Sequence, residues 1–353
     1  MFSITTSEAL WAAFTSGERN FRGVDLSKAD LSHCKFSGID FGQAQLIAAN
    51  LMDIHLGGAN LQAAKLTYAN LTRADLRRAD LRHSCLQGAI LKDTRLQGAL
   101  YDSQTVFPRE FSPSQAGLYL IAPGTLLASQ DLRGYNLASA NLSNSDLSGI
   151  LATHCQFSGA RLERANFLGS FMVHSDLSYT QLSQATLMLA DLRGANLAHA
   201  DLRQANLIGA NLKDCNLTGV DLRGALYSDT TLFPEGFAAR EGLYYLTPGA
   251  VLPGIDLRGA RLNGMNLRGI NLAGANLSCA NLWGACLADA NLKGANLEGT
   301  NLLGADLVGA NLNHTNLFQA ILTLLGSALI SDSLSQRLLE QPKRVSDYAY
   351  GVG

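Results

Sequence analysis

The sequence predicts an all-β solenoid, a chain that turns once every five residues so that each coil covers the next. Three observations carry this. One apolar residue recurs at every fifth position: Phe21, Leu26 and Leu31 begin a series that runs unbroken to Leu96 and Tyr101. The series resumes from Leu132 to Tyr227 and again from Leu257 to Leu322. Around each such centre the chemistry repeats too. Ala or another small residue stands two before it (Ala59, Ala69, Ala195, Ala205, Ala275), and Asn or Asp just before it (Asn60, Asn70, Asn196, Asn206, Asn276). Gly, 34 times in 353 residues, is frequent two after it.

A period of five excludes ordinary elements. Residues five apart on an α-helix lie about 140° apart round the axis, so the Leu row would smear over every side. In a continuous strand an odd period would send successive Leu side chains to opposite faces. Gly and Asn at this density also oppose both elements. One turn per unit brings every centre to a shared axis, with Gly and Asn expected to supply the positive-φ turn positions. Stacked coils of this kind form a solenoid.

The Ala-(Asp/Asn)-Leu-x-x pattern, about 51 units over roughly 70% of the chain, resembles the pentapeptide-repeat family. The resemblance implies a right-handed parallel quadrilateral β-helix with four pentapeptides per coil. The centre and the small residue two before it would point inward, and the other three positions outward.

The ends and interruptions divide the chain. Residues 1–18 form an N-terminal cap, with a helix over 5–16 in which Thr5 and Glu8 have capping-box spacing and Leu10, Ala13 and Phe14 share a face. Repeat blocks follow at 19–106, 127–232 and 252–322, separated by inserts at 107–126 and 233–251. Both interruptions read Tyr-x-x-x-Thr-x-Phe-Pro (from Tyr101 and from Tyr227) and both re-enter through Asp-Leu-Arg-Gly, at 131–134 and 256–259. They resemble inserts in bacterial, particularly cyanobacterial, members of the family. Their aromatics either carry binding or pin the loop to the coil. In 323–353 the period is lost; Leu325, Leu329, Leu334 and Leu338 could line a helix before Pro342. This would be a second cap or, as the resemblance implies for some members, a dimerisation helix.

Chemistry is hard to place on this chain. No Gly-x-Ser-x-Gly, phosphate loop or HExxH occurs, and no catalytic, cofactor or metal residue is assigned. The six Cys show no paired spacing. Cys34, Cys155 and Cys215 fall at the inward small position, as fillers. Six of the seven His fall two after a centre, facing solvent; His154 and His174 would stack on neighbouring coils. Lys+Arg 27 against Asp+Glu 29 excludes a strongly basic nucleic-acid binder. No membrane-length apolar run is present, and Met1-Phe2-Ser3-Ile4-Thr5 lacks a secretory pattern, so a cytoplasmic location is expected.

The 20-residue coil sorts the outward apolar residues. Leu168, Met188 and Ile208 fall on one face, with Leu189 beside them and Leu151, Phe171 and Val173 across the adjoining corner. Trp283 and Leu303 make a smaller pair. Such a patch marks a contact, so the expected partner is another protein, or a second copy through the C-terminal helix. Alternatively an insert, through Leu118-Tyr119-Leu120 or Leu243-Tyr244-Tyr245, covers it. The leading function is therefore a non-catalytic scaffold or regulatory protein. The other reading is a duplex-DNA mimic acting on gyrase-type topoisomerases. It is opposed by the near-neutral charge and by Arg two residues after Asp75, Asp191, Asp201 and Asp221.

Overall fold

Away from the inserts, residue pairing in the computed structural model, which describes residues 6–237 and 242–322, follows a single rule. The residue before each centre pairs in parallel with the one twenty positions on: Asp25 with Gln45, Gln45 with Lys65, Lys65 with Cys85. Twenty residues make one coil of four pentapeptides. The Leu26 N–H donates to the Gln45 carbonyl and the Gln45 N–H to the Val24 carbonyl, both at 2.8 Å. The bridges stay isolated because a turn follows at once: the Ala29 N–H returns to the Leu26 carbonyl at 3.1 Å.

In these turns the residue two after the centre holds a positive φ, at 54–62° where it is not Gly. This is the third residue of a type II turn. Contrary to the expectation from composition, the Asn or Asp before the centre does not occupy that position. Instead its side-chain oxygen caps the turn: Asn60 Oδ1 accepts the Gln62 N–H at 3.1 Å, and Asn276 Oδ1 the Ser278 N–H at 3.2 Å.

The chain divides into two compact units, Met1–Ala165 and Asn166–Gly353, so the division falls inside the second repeat block and each unit holds one insert. The first unit begins with helix α1 (Ser7–Thr15). Its N-cap is Thr6, not Thr5, and the Thr6 hydroxyl oxygen accepts the Ala9 N–H at 3.2 Å. Leu10 is fully buried in one cluster with Phe21, Leu26 and Phe36, and Phe14 meets Phe36 edge-on at 5.0 Å. The centres that follow are buried up to Leu86. In the second unit Leu197, Leu207, Leu277 and Leu292 have no exposed surface, whereas Leu307, Leu312 and Leu317 at the end of the described chain are half-buried. The expected C-terminal helix lies outside the described residues.

The two inserts fold alike. Strand β1 (Leu100–Tyr101) pairs in parallel with β2 (Tyr119–Leu120), and β3 (Leu226–Tyr227) with β4 (Tyr244–Tyr245). A further pair, β5 (Asn301–Leu302) and β6 (Ile321–Leu322), lies in the last described coil. In the first insert Tyr101 meets Phe107 edge-on at 5.7 Å and Phe107 stacks on Phe111 at 5.0 Å. In the second, Tyr227, Phe233 and Phe237 repeat this at 5.7 and 4.4 Å. Each re-entering chain is then tied to an earlier coil. Arg82 Nη2 donates to the Asn136 carbonyl at 2.9 Å, and Asn206 Nδ2 to the Arg261 carbonyl at 2.7 Å.

Candidate functional site

The outward surface is built from three positions per pentapeptide, and two polar patterns dominate it. Asn side chains stack along the coils. Asn316 Nδ2 donates to Asn296 Oδ1 at 2.9 Å, and Asn216 Nδ2 to Asn196 Oδ1 at 3.0 Å. Where Asp is followed two residues later by Arg, the guanidinium closes on the carboxylate with two bonds. The pairs are Asp75–Arg77, Asp80–Arg82, Asp131–Arg133, Asp191–Arg193, Asp201–Arg203 and Asp221–Arg223, with Nη2–Oδ2 distances of 2.6–2.7 Å. The Arg133 bonds hold the Asp131 carboxyl at about 2, and the Asp75, Asp191, Asp201 and Asp221 carboxyls are likewise lowered by their arginines.

The predicted apolar patch is brought out only in part. Within the second unit Leu168 is exposed, Phe171 is 49% exposed and Leu189 63%, with Met188 and Val173 half-buried. Tyr179, which sequence reasoning passed over, is also exposed and stacks on His199 at 5.0 Å. Ile208 is not exposed: only 6% of it reaches solvent. It joins the buried cluster of Leu226, Leu246 and Ile255, against which Met188 and Tyr244 pack. Leu246 and Ile255 of this cluster belong to the chain re-entering after the second insert. In the first unit Arg82, at the matching place, is buried beneath Asn136. Leu151, in the first unit, is exposed, as are Trp283 and Leu303 in the second.

The second unit also holds a polar cleft of about 490 Å³, bounded by Gln184 and Gln204, by Arg203 and Arg223, and by Tyr244 and Asp256. Gln184 Nε2 donates to Gln204 Oε1 at 2.8 Å. Asp256 begins a seventh Asp-Leu-Arg, but here, among the described residues, the carboxylate accepts only the Arg258 backbone N–H, at 3.1 Å. Sequence reasoning missed this cleft. The signal was the residue after each re-entry motif, Tyr135 in one case and Ala260 in the other.

The remaining candidates resolve simply. Among the described residues no three His, Cys, Asp or Glu side chains gather as a metal site. His33, His83, His154, His174, His199 and His314 all occupy the positive-φ turn position, with φ of 55–62°. All six cysteines are free thiols. Burial raises Cys155 far above the ordinary thiol range and Cys215 to about 12. Both thiols donate to backbone carbonyls, of Tyr135 at 3.2 Å and of Leu192 at 2.9 Å. Among the described residues no helix is long and apolar enough to cross a membrane.

A family model for pentapeptide repeats matches eight copies, over residues 25–51, 54–93, 155–194, 187–224, 255–294 and 285–323, more than half the chain. No curated protein matches. Among solved structures, alr5209, a pentapeptide repeat protein from Nostoc PCC 7120, is 37% identical over 34% of this chain and 99% of its own, with a TM-score of 0.34. HetL, from the cyanobacterium Nostoc sp. strain PCC 7120 and involved in heterocyst differentiation regulation, is 24% identical over 90% and 97%, with a TM-score of 0.23. QnrB1, a plasmid-mediated fluoroquinolone resistance protein, is 17% identical over 60% and 84%, with a TM-score of 0.22.

Proposed function

Because the chain belongs to the pentapeptide-repeat family, we propose that it is a non-catalytic scaffold or regulatory protein that binds another protein on the outside of its coils. In this reading the coils are right-handed, the compartment is the cytoplasm, and 323–353 would be the segment through which two copies pair. The observation that carries the reading is the exposed apolar group Leu168, Phe171 and Leu189, with Tyr179 near it in sequence. Polar outward side chains near it bond within the coils: Asn166 Oδ1 accepts the Leu168 N–H, Asp176 Oδ1 the Ser178 N–H, and Arg193 closes on Asp191. Large apolar side chains left in water on such a surface mark a contact. Leu151, Trp283 and Leu303 are secondary contact residues, and the half-buried Val173 and Met188 belong to the patch. Ile208 is withdrawn from it.

The DNA-mimic reading loses support from the same surface. Mimicry of phosphate charge needs open carboxylates, and six aspartates are each closed by a guanidinium two residues on. The test is capture from native lysate by the full chain and by Leu168→Ser/Phe171→Ser. Neither residue points inward, so the melting temperature should hold. Loss of specific partners at unchanged melting temperature supports the site; identical capture removes it.

A further inference from the structure

The two inserts are built to one plan, and comparing them shows what the cleft in the second unit lacks. In the first unit the space between the coil and the re-entering chain is filled by Tyr135 and Arg78. Tyr135 follows Asp131-Leu-Arg-Gly134, is buried, and its hydroxyl donates to the Gly98 carbonyl at 2.8 Å. The Arg78 guanidinium lies over the Tyr135 ring at 4.3 Å, and Tyr119 of β2 stands beside that ring at 6.5 Å. Arg78 also donates to the Arg133 carbonyl. The Asp131 carboxylate, held chiefly by Arg133, feels the Arg78 charge as well.

The second unit keeps the frame and omits the filling. Gly224 takes the place of Gly98: its N–H donates to the Gly242 carbonyl at 2.6 Å, as the Gly98 N–H does to Gly117 at 2.8 Å. Tyr244 of β4 takes the place of Tyr119, and Asp256 that of Asp131. Where Tyr135 stood is Ala260, after the same Asp-Leu-Arg-Gly; where Arg78 stood is Gln204. Neither the Tyr135 ring nor the Arg78 cation has a counterpart, and Gly224, Tyr244 and Asp256 line the resulting cleft together with Arg203 and Arg223, whose guanidiniums are closed on Asp201 and Asp221. Asp256 is also the one aspartate of the seven Asp-Leu-Arg motifs without a guanidinium partner among the described residues.

We propose that this cleft is a binding site for a phenolic ring carried next to a positive charge, as in a Tyr beside Arg or Lys on a partner segment, or in a small phenolic amine. The ring takes the place that Tyr135 fills in the first unit, its hydroxyl donates to the Gly224 carbonyl, and the cation meets the Asp256 carboxylate. A ring between a wall and a cation, with one hydrogen bond at its tip, uses the two ends of a tyrosyl group separately. The inference does not rest on the apolar group at Leu168 and Phe171.

Calorimetric titration of the full chain tests it with two probes, tyramine and the blocked peptide Gly-Arg-Tyr-Gly. Binding of the peptide well above that of tyramine identifies a peptide partner; the reverse identifies a small amine. Replacing Tyr by Phe in the peptide should weaken it about fivefold, the worth of one ordinary hydrogen bond. Ala260→Tyr with Gln204→Arg installs the first unit's own filling and should abolish binding of either probe. Asp256→Asn, a change at an exposed carboxylate, should weaken both probes and leave uncharged p-cresol unaffected. No binding of either probe to the wild-type chain overturns the proposal. So does binding that survives unchanged in the filled variant, or in Asp256→Asn should the filled variant fail to fold.

Discussion

Arg82→Met and Arg133→Met remove the same guanidinium from the same local motif, Asp-Leu-Arg, yet they should differ severalfold in cost. Arg82 is 5% exposed and its Asp80 partner 8%, beneath the chain that re-enters after the first insert. The pair is joined by Nη2–Oδ2 at 2.6 Å and Nε–Oδ1 at 2.9 Å, and Arg82 also ties down the Asn136 carbonyl at 2.9 Å. Methionine keeps much of the aliphatic volume, but it strands a buried carboxylate and a carbonyl. Breaking one side of a buried ion pair costs about 3–5 kcal/mol. The lower end applies, because Asp80 retains the Gln62 amide and the residue 82 backbone N–H as donors. The Arg133 side chain is 59% exposed and Asp131 is open to water, so their pair is worth about 0–1 kcal/mol. At about 2–4 °C per kcal/mol for a unit of this size, thermal unfolding should fall by about 6–12 °C for Arg82→Met and by at most a few degrees for Arg133→Met. Adding Asp80→Asn to Arg82→Met should recover part of the loss, since no buried charge is then left alone. Equal shifts for the two single variants, or no recovery in the double, would refute the reasoning.

Ser170 has the one buried side-chain oxygen without a hydrogen-bond partner among the described residues, so Ser170→Ala should be neutral or stabilise by about 1 kcal/mol in urea unfolding; a clear loss would reveal a partner. The Asp75, Asp131, Asp191, Asp201 and Asp221 carboxyls, each bonded by its arginine, have folded values below their ordinary range, about 2 for Asp131, so the stability they contribute is present above about pH 4 and is lost as pH falls towards 2. Unfolding followed from pH 7 to pH 2 should therefore be flat to about pH 5 and then decline, less steeply for Asp131→Asn; an unchanged acid limb in that variant would remove the pair from the account. Alkylation at pH 8 with mass-spectrometric mapping should modify exposed Cys279 first and reach buried Cys155 and Cys215 only after unfolding, and early labelling of either buried thiol would contradict their placement.

What was legible in the sequence was whatever repeats every five residues. Leu197, Leu207, Leu277 and Leu292 had to be inward because any other arrangement scatters a five-residue row, and all four are fully buried. The turn was half legible. Glycine two after the centre pointed to a positive φ, but the capping role of Asn needed the bond from Asn60 Oδ1 to the Gln62 N–H. For the surface, periodicity placed Leu168 and Ile208 in one row and could go no further, since it counts position within a coil and not what crosses above it.

The sequence by itself determined the coil: its period, its inward and outward positions, and the likeness of the two inserts, all of which follow from local spacing. Only the tertiary structure decided where the inserts return. That return buries Ile208 while Leu168 stays in water, and turns one Asp-Leu-Arg into a buried pair and another into a solvated one. It also sets Ala260 of the second unit at the place Tyr135 fills in the first. The physical reason is that burial is a property of segments far apart in the chain, and a local pattern carries no record of which distant backbone will lie over it.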